Sequence, residues 1–167
     1  GYIPDNHPGF SREINDGCLY CHAGRTNSKG ASHDRYGDPT FHELAIGCER
    51  CHGPGESHIA FHSTNVEKSK DEQATDPIIN PAQFDDPVLR DDVCNQCHLL
   101  GQSVVRRKGR TFFSFHPGER LEDCFVMLTR PPAPGESMNA VSQVEQMRSS
   151  QCFIQSEGQL GCTSCHD

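Results

Sequence analysis

Cys18-Leu19-Tyr20-Cys21-His22, Cys48-Glu49-Arg50-Cys51-His52, Cys94-Asn95-Gln96-Cys97-His98 and Cys162-Thr163-Ser164-Cys165-His166 are four copies of one spacing, C-x-x-C-H. On a helical turn residues i and i+3 face the same way, so each cysteine pair offers two thiols to one object. The His behind each second cysteine adds an imidazole nitrogen beside them. Two thioethers to the vinyl groups of a porphyrin, with the imidazole on its iron, use all three side chains together, and this spacing is the attachment signature of a c-type haem. Four haem c groups are therefore expected, attached at Cys18, Cys21, Cys48, Cys51, Cys94, Cys97, Cys162 and Cys165, with His22, His52, His98 and His166 as proximal ligands. Paired C-x-x-C motifs also build four-thiolate zinc sites. Zinc needs no His directly after the second cysteine, whereas all four copies have one, so haem is the better reading.

The composition agrees with a cofactor-filled interior. Only 34% of the 167 residues are hydrophobic and there is no Trp, which makes a conventional core thin at this size. Four flat apolar cofactors can supply the missing interior. Fifteen Gly and 11 Pro suit a wrap of loops and short helices. The expected fold is mainly α with much irregular structure, compact and haem-packed, with one small β-hairpin. The expected organisation is a single tetrahaem cytochrome c domain over 1–167. Within it, 1–62 holds a first haem pair, 63–76 is a polar linker and 77–167 holds a second pair.

Ten cysteines and covalent haem point to an oxidising compartment, periplasmic or extracellular. No stretch reads as a transmembrane segment or a signal peptide, and a start at Gly1 is expected of an exported, trimmed product. The formal charge of −8 argues against nucleic acid, which needs a basic footprint. It suits a basic redox partner steered by opposite charge.

Six histidines lie outside the motifs and are candidates for the second axial position of an iron. His7 sits in a turn-rich start, where a surface loop is the plainer fate. His33 lies in a stretch with little apolar content and no packing task, which favours a distal ligand. His42 follows Phe41 in Phe41–Ile46, a short helix or strand, and is a weaker candidate. Behind the second motif, Gly53-Pro54-Gly55 ends the motif helix and permits a reversal. A helix starting near Glu56 then carries His58 and His62 four apart on one face.

The segment from Gly47 to His58, GCERCHGPGESH, resembles the C-x-x-C-H-G-P-G-x-x-H region of multihaem cytochromes related to the cytochrome c-554 family. That group includes larger proteins in which such regions are joined to helical repeats. The resemblance implies that His58 faces the haem of His22 and His33 the haem of His52, a reciprocal exchange that draws two haems together. His62 is then a surface residue of the same helix. Pro117-Gly118-Glu119-Arg120-Leu121 shares the family's Pro-Gly-x-x-Leu pattern, beside His116, a candidate ligand that the family does not regularly carry. Residues 145–167 are similar to the family's last haem segment and bring forward Met147, whose alternative is an ordinary core side chain. Met127 and Met138 are weaker candidates. Family members usually continue with Pro-His after the position of Asp167, so one iron is expected to draw a ligand from outside this chain.

Ser103-Val104-Val105 and Thr111–Phe115 flank Arg106-Arg107-Lys108-Gly109-Arg110, a pattern for a hairpin with a basic tip. The tip reads as a solvated turn, or as a dock for an anionic partner or a propionate. Residues 130–137 form a Pro-rich break, and Ala140, Val141, Val144 and Met147 then recur at helical spacing. Cys124 and Cys152 lie outside the motifs, and a disulfide between them is the simplest use in an oxidising compartment. Free thiols or a tie to another chain are the alternatives.

The expected function is electron transfer through the four haems, as a module of a larger redox assembly. No catalytic base or substrate pocket is legible. The alternatives are a haem enzyme or small-ligand binder with one five-coordinate iron, of nitrogen-oxide or hydroxylamine type, and a repeating unit of an extracellular conducting filament. Expected partners are other redox proteins or further copies of the chain.

Overall fold

Asn15 is the first residue whose role is local and clear: its Oδ1 accepts the backbone N–H of Cys18 at 3.2 Å and starts helix α1, Asp16–His22. The computed structural model describes residues 14–29, 35–63, 75–101, 103–129 and 142–166. It divides into two compact units, Gly1–Ile46 and Gly47–Asp167.

In the first unit α1 is followed by an antiparallel ribbon of β1, Thr26–Ser28, and β2, Tyr36–Phe41, with an irregularity between the pairs Thr26–Phe41 and Ser28–Tyr36. The Ser28 hydroxyl donates to Asp16 at 3.0 Å and ties ribbon to helix. Tyr20, Ala23 and Thr26 are buried. Gly24 passes so close to the backbone of Glu43 and Ala45 that any Cβ would strike their carbonyl oxygens. The expected element at 41–46 is only partly present. The strand ends at Phe41 because the N–H groups of His42 and Glu43 both turn to the carbonyl of Arg25, at 2.8 and 3.2 Å.

The second unit begins with α2, Glu49–His52, and α3, Glu56–Ser63, the latter starting at the expected residue. Gly53 separates them at φ 70°, ψ −172°, a conformation open essentially to glycine alone. The longest helix is α4, Pro87–His98. Asp86 caps it by accepting from Val88 N at 2.9 Å, Pro87 fills the first turn, and Arg120 holds the capping carboxylate at 2.6 Å. Strands β3, Ser103–Arg106, and β4, Phe125–Leu128, pair antiparallel from Ser103–Leu128 to Arg106–Phe125. The chain then forms α5, Gln143–Ser149, opened by a reciprocal cap between Ser142 and Glu145, and α6, Gln151–Gln155. Val93, Leu99, Phe115, Leu121, Cys124, Phe125 and Val144 make the core.

The fold class is as expected, mainly helical with much irregular structure, but the hairpin needs correction. Ser103–Arg106 pairs with Phe125–Leu128, not with Thr111–Phe115. Thr111 N donates to Ser114 Oγ at 2.8 Å, closing a 3-10 turn at Phe112–Ser114 that removes this stretch from strand pairing. A second ribbon, β1–β2, was not expected at all. Two of the four basic residues of the tip are engaged by their own chain: Arg106 lies over the Phe112 ring at 5.1 Å, and Arg107 donates to the Glu122 carbonyl at 2.9 Å. The Cys124–Cys152 disulfide is not formed either, because Cys124 is fully buried in the core while Cys152 is exposed on α6. The Pro-rich break at 130–137, Ala140 and Val141 lie outside the described residues.

Candidate haem attachment sites

The four motifs take one local form by different routes. Helix α1 carries the first, and Cys48 with α2 carries the second. The third is the last turn of α4, whereas the fourth is a 3-10 turn, Cys162–Ser164. In each of these conformations i and i+3 share a face. His22, His52, His98 and His166 are all exposed.

The surroundings fit a large apolar group. Exposed large apolar side chains flank every motif: Ile14 before the first, Leu44 and Ile46 before the second, Leu100 after the third, Leu160 before the fourth. Apolar side chains left outward beside attachment sites suit a porphyrin better than water. A zinc reading gains nothing here. Among the described residues the one group of potential metal ligands, within 4.8 Å of one another, is His58, His62 and Asp76, without a cysteine.

His52 is held in a single tautomer. Its Nδ1 lies 2.8 Å from the backbone carbonyl of Ile79. A carbonyl can only accept, so Nδ1 carries the proton and Nε2 keeps its lone pair for a metal. Gly53 makes this contact feasible, since its bare Cα runs against the Ile79 side chain.

Three motifs meet around α4. Gln96 reaches from it to the backbone carbonyl of Arg50, inside the second motif, at 3.2 Å. Arg50 in turn lies over the Phe113 ring at 5.0 Å. Asp91 accepts from Cys162 N at 3.2 Å, and Arg90 donates to the Gln159 carbonyl at 3.1 Å, docking the fourth motif. The sulfurs of Cys94 and Cys162 lie within hydrogen-bonding reach of each other. With both sulfurs as free thiols, the hydrogen bond between them, with burial, pushes Cys94 well above the ordinary thiol range, and the same bond draws Cys162 below it against the effect of burial. Cys51 is close enough for its charge to act on Cys94 as well.

The distal candidates are scattered. His58 is half-buried on α3, Met147 half-buried on α5, and His116 and His42 are exposed in loops. Met127 is half-buried on β4. His7, His33 and Met138 lie outside the described residues.

Asp76 was not singled out in the sequence, where it closes a polar, charged stretch. Its carboxylate accepts from His58 Nδ1 at 2.8 Å and from His62 Nε2 at 2.8 Å. These two hydrogen bonds, that of His58 first, hold its carboxyl well below the usual carboxylate range. It also accepts from Ile78 N at 3.1 Å, which fixes the chain just before Ile79. The signal that could have found it is an acid placed shortly before the Asn80-Pro81 turn, within reach of an i, i+4 histidine pair. Its separation of 18 residues from His58 hid the link.

No curated protein and no solved structure matches the chain. The family model described as cytochrome c554 and c-prime matches residues 5–53, a minor part of the chain that includes the first two C-x-x-C-H motifs, and over that segment the chain is similar to haem-carrying electron-transfer proteins.

Proposed function

We propose that this chain conducts electrons through four covalently bound c-type haems, as an exported module, periplasmic or extracellular, of a larger redox assembly. The observation that carries the reading is the gathering of the second, third and fourth motifs around α4, with Cys94 and Cys162 in hydrogen-bonding reach. Attachment points so close make the groups they hold neighbours, and neighbouring haems exchange electrons. The haem supplies the redox centre. The chain supplies two thiols and an imidazole at each site, and tunes each potential through axial ligands, burial and hydrogen bonds.

His58 and His33 serve as distal ligands in this reading, on the strength of the family resemblance. Met147 and His116 are the next candidates, and His42 and His7 the remaining ones. Two protein ligands on each iron would make the protein a carrier. Its partners are other redox proteins or further copies of itself. Among the described residues no helix is long and apolar enough to cross a membrane.

The test is a pyridine haemochrome count on the purified protein, with EPR of the oxidised form and exposure of the reduced form to carbon monoxide. Four haems per chain, low-spin and inert to carbon monoxide, are expected. Fewer than four would reject the tetrahaem reading, and a carbon monoxide adduct would favour an open, reactive iron. Replacing both Cys48 and Cys51 by Ala should lower the count by one.

A further inference from the structure

His58 and His62 approach one carboxylate from the same helix, but they offer it different nitrogens. Asp76 is acceptor-only when ionised. His58 therefore gives it an Nδ1 proton, at 2.8 Å to one oxygen and 2.9 Å to the other, and keeps the lone pair on Nε2. His62 gives it the Nε2 proton, which occupies the nitrogen that stands farthest from its own backbone. Of the two, only His58 is left with the outer nitrogen able to bind a metal. The same short connector treats His52 in a parallel way, but with a neutral acceptor, the Ile79 carbonyl at 2.8 Å.

We propose that Asp76 is a positioning residue that aims His58 Nε2 at a haem iron and lowers the potential of that haem through a charged hydrogen bond to the ring. The inference rests on His58 being a distal ligand, as read above. An imidazole that donates Nδ1–H to a carboxylate gains electron density on Nε2 and becomes a stronger donor to iron. Ferric iron gains more from this than ferrous iron, so reduction becomes harder. A backbone carbonyl has the same geometry and no net charge, so its effect on His52 is smaller. The segment from Asp76 to Ile79 thus holds two iron-binding histidines with acceptors of unlike charge, and this separates the potentials of the two haems they ligate.

The experiment is a spectroelectrochemical titration of the holoprotein with EPR of the oxidised state, on Asp76→Asn, Asp76→Glu, His58→Ala and the Asp76→Asn/His58→Ala double variant. Asp76→Asn should raise one of the midpoint potentials by about 59 mV, a tenfold change in the one-electron equilibrium, with every haem still low-spin. Asp76→Glu, which keeps the charge, should stay near the parent. His58→Ala should turn one haem high-spin, and adding Asp76→Asn to it should move no potential further. Unchanged potentials in Asp76→Asn, beside a high-spin haem in His58→Ala, would overturn the role of Asp76 and leave the ligand assignment standing. A His58→Ala protein with all haems low-spin would instead remove the ligand assignment itself. A shift that persists in the double variant would mean that Asp76 acts as a distant charge and not through the His58 ring.

Discussion

Asp91 on α4 accepts the backbone N–H of Cys162 at 3.2 Å, so the helix that ends in the third motif also anchors the start of the fourth. Gly161 lies flat against the same carboxylate, where any Cβ would collide with it. The approach depends on a residue without a side chain next to an acid that is nearly buried. Asp91→Ala leaves the Cys162 N–H without its partner and should cost about 1–3 kcal/mol. Thermal unfolding of the holoprotein checks this; an unaltered midpoint would mean that the fourth motif is held by its cofactor alone.

Gly53 carries the reversal between α2 and α3 at φ 70°, and its added Cβ would sit 3.1 Å from Ile79 Cδ1. Gly53→Ala should destabilise the protein by about 1–3 kcal/mol, from backbone strain. It should also disturb the Ile79 carbonyl that orients His52. Urea unfolding at a lower midpoint, together with a change in the spectrum of one haem, is the expected pair of results. A stability loss with all haem spectra intact would separate the turn from the ring.

Asp92 is a buried acid with two partners, accepting from Leu121 N at 2.8 Å and from Asn95 Nδ2 at 3.0 Å. It fastens the turn at Leu121–Asp123 to α4. Asp92→Ala orphans both donors, with an expected cost of about 1–3 kcal/mol for each buried group left unmade. Asp92→Asn keeps one acceptor oxygen and should lose less. Equal losses in the two variants would show that volume, not hydrogen bonding, is what the site needs.

Cys124 and Cys152 differ in exposure and so in reactivity. Burial pushes the Cys124 thiol up, and its side chain is out of reach of solvent. Cys152 is exposed. Alkylation of the folded holoprotein should label Cys152 quickly, and Cys124 only after denaturation. Exactly two reactive thiols in the unfolded chain are expected if the other eight are thioethers. Labelling of both in the folded state would contradict the core placement of Cys124.

The legible part of the site was the part that covalent chemistry spaces rigidly. Two thiols and an imidazole must fall within five residues to serve one porphyrin, so the motifs stand out wherever the chain later puts them. The start of α3 at Glu56 was legible for a similar reason, since Gly-Pro-Gly leaves few places for a helix to begin. The partner of β3 was not. Thr111 and Phe112 have strand-like side chains, and only the hydrogen bond between Thr111 and Ser114 turns that stretch away from the ladder. Cys124 looked available for a disulfide because nothing in its neighbours along the chain announces that it is packed beside Phe125 in the core.

By itself the sequence determined which atoms are candidates to hold haem, because attachment is a matter of short-range spacing along the backbone. The tertiary structure decided which motifs come together on α4, which acceptors face His52 and His58, and which thiol is hidden. Those depend on contacts such as Asp91 with Cys162 and Asp76 with His58, between residues 71 and 18 positions apart. Hydrogen bonds act over about 3 Å of space, whatever length of chain lies between their partners, so no local pattern could announce them.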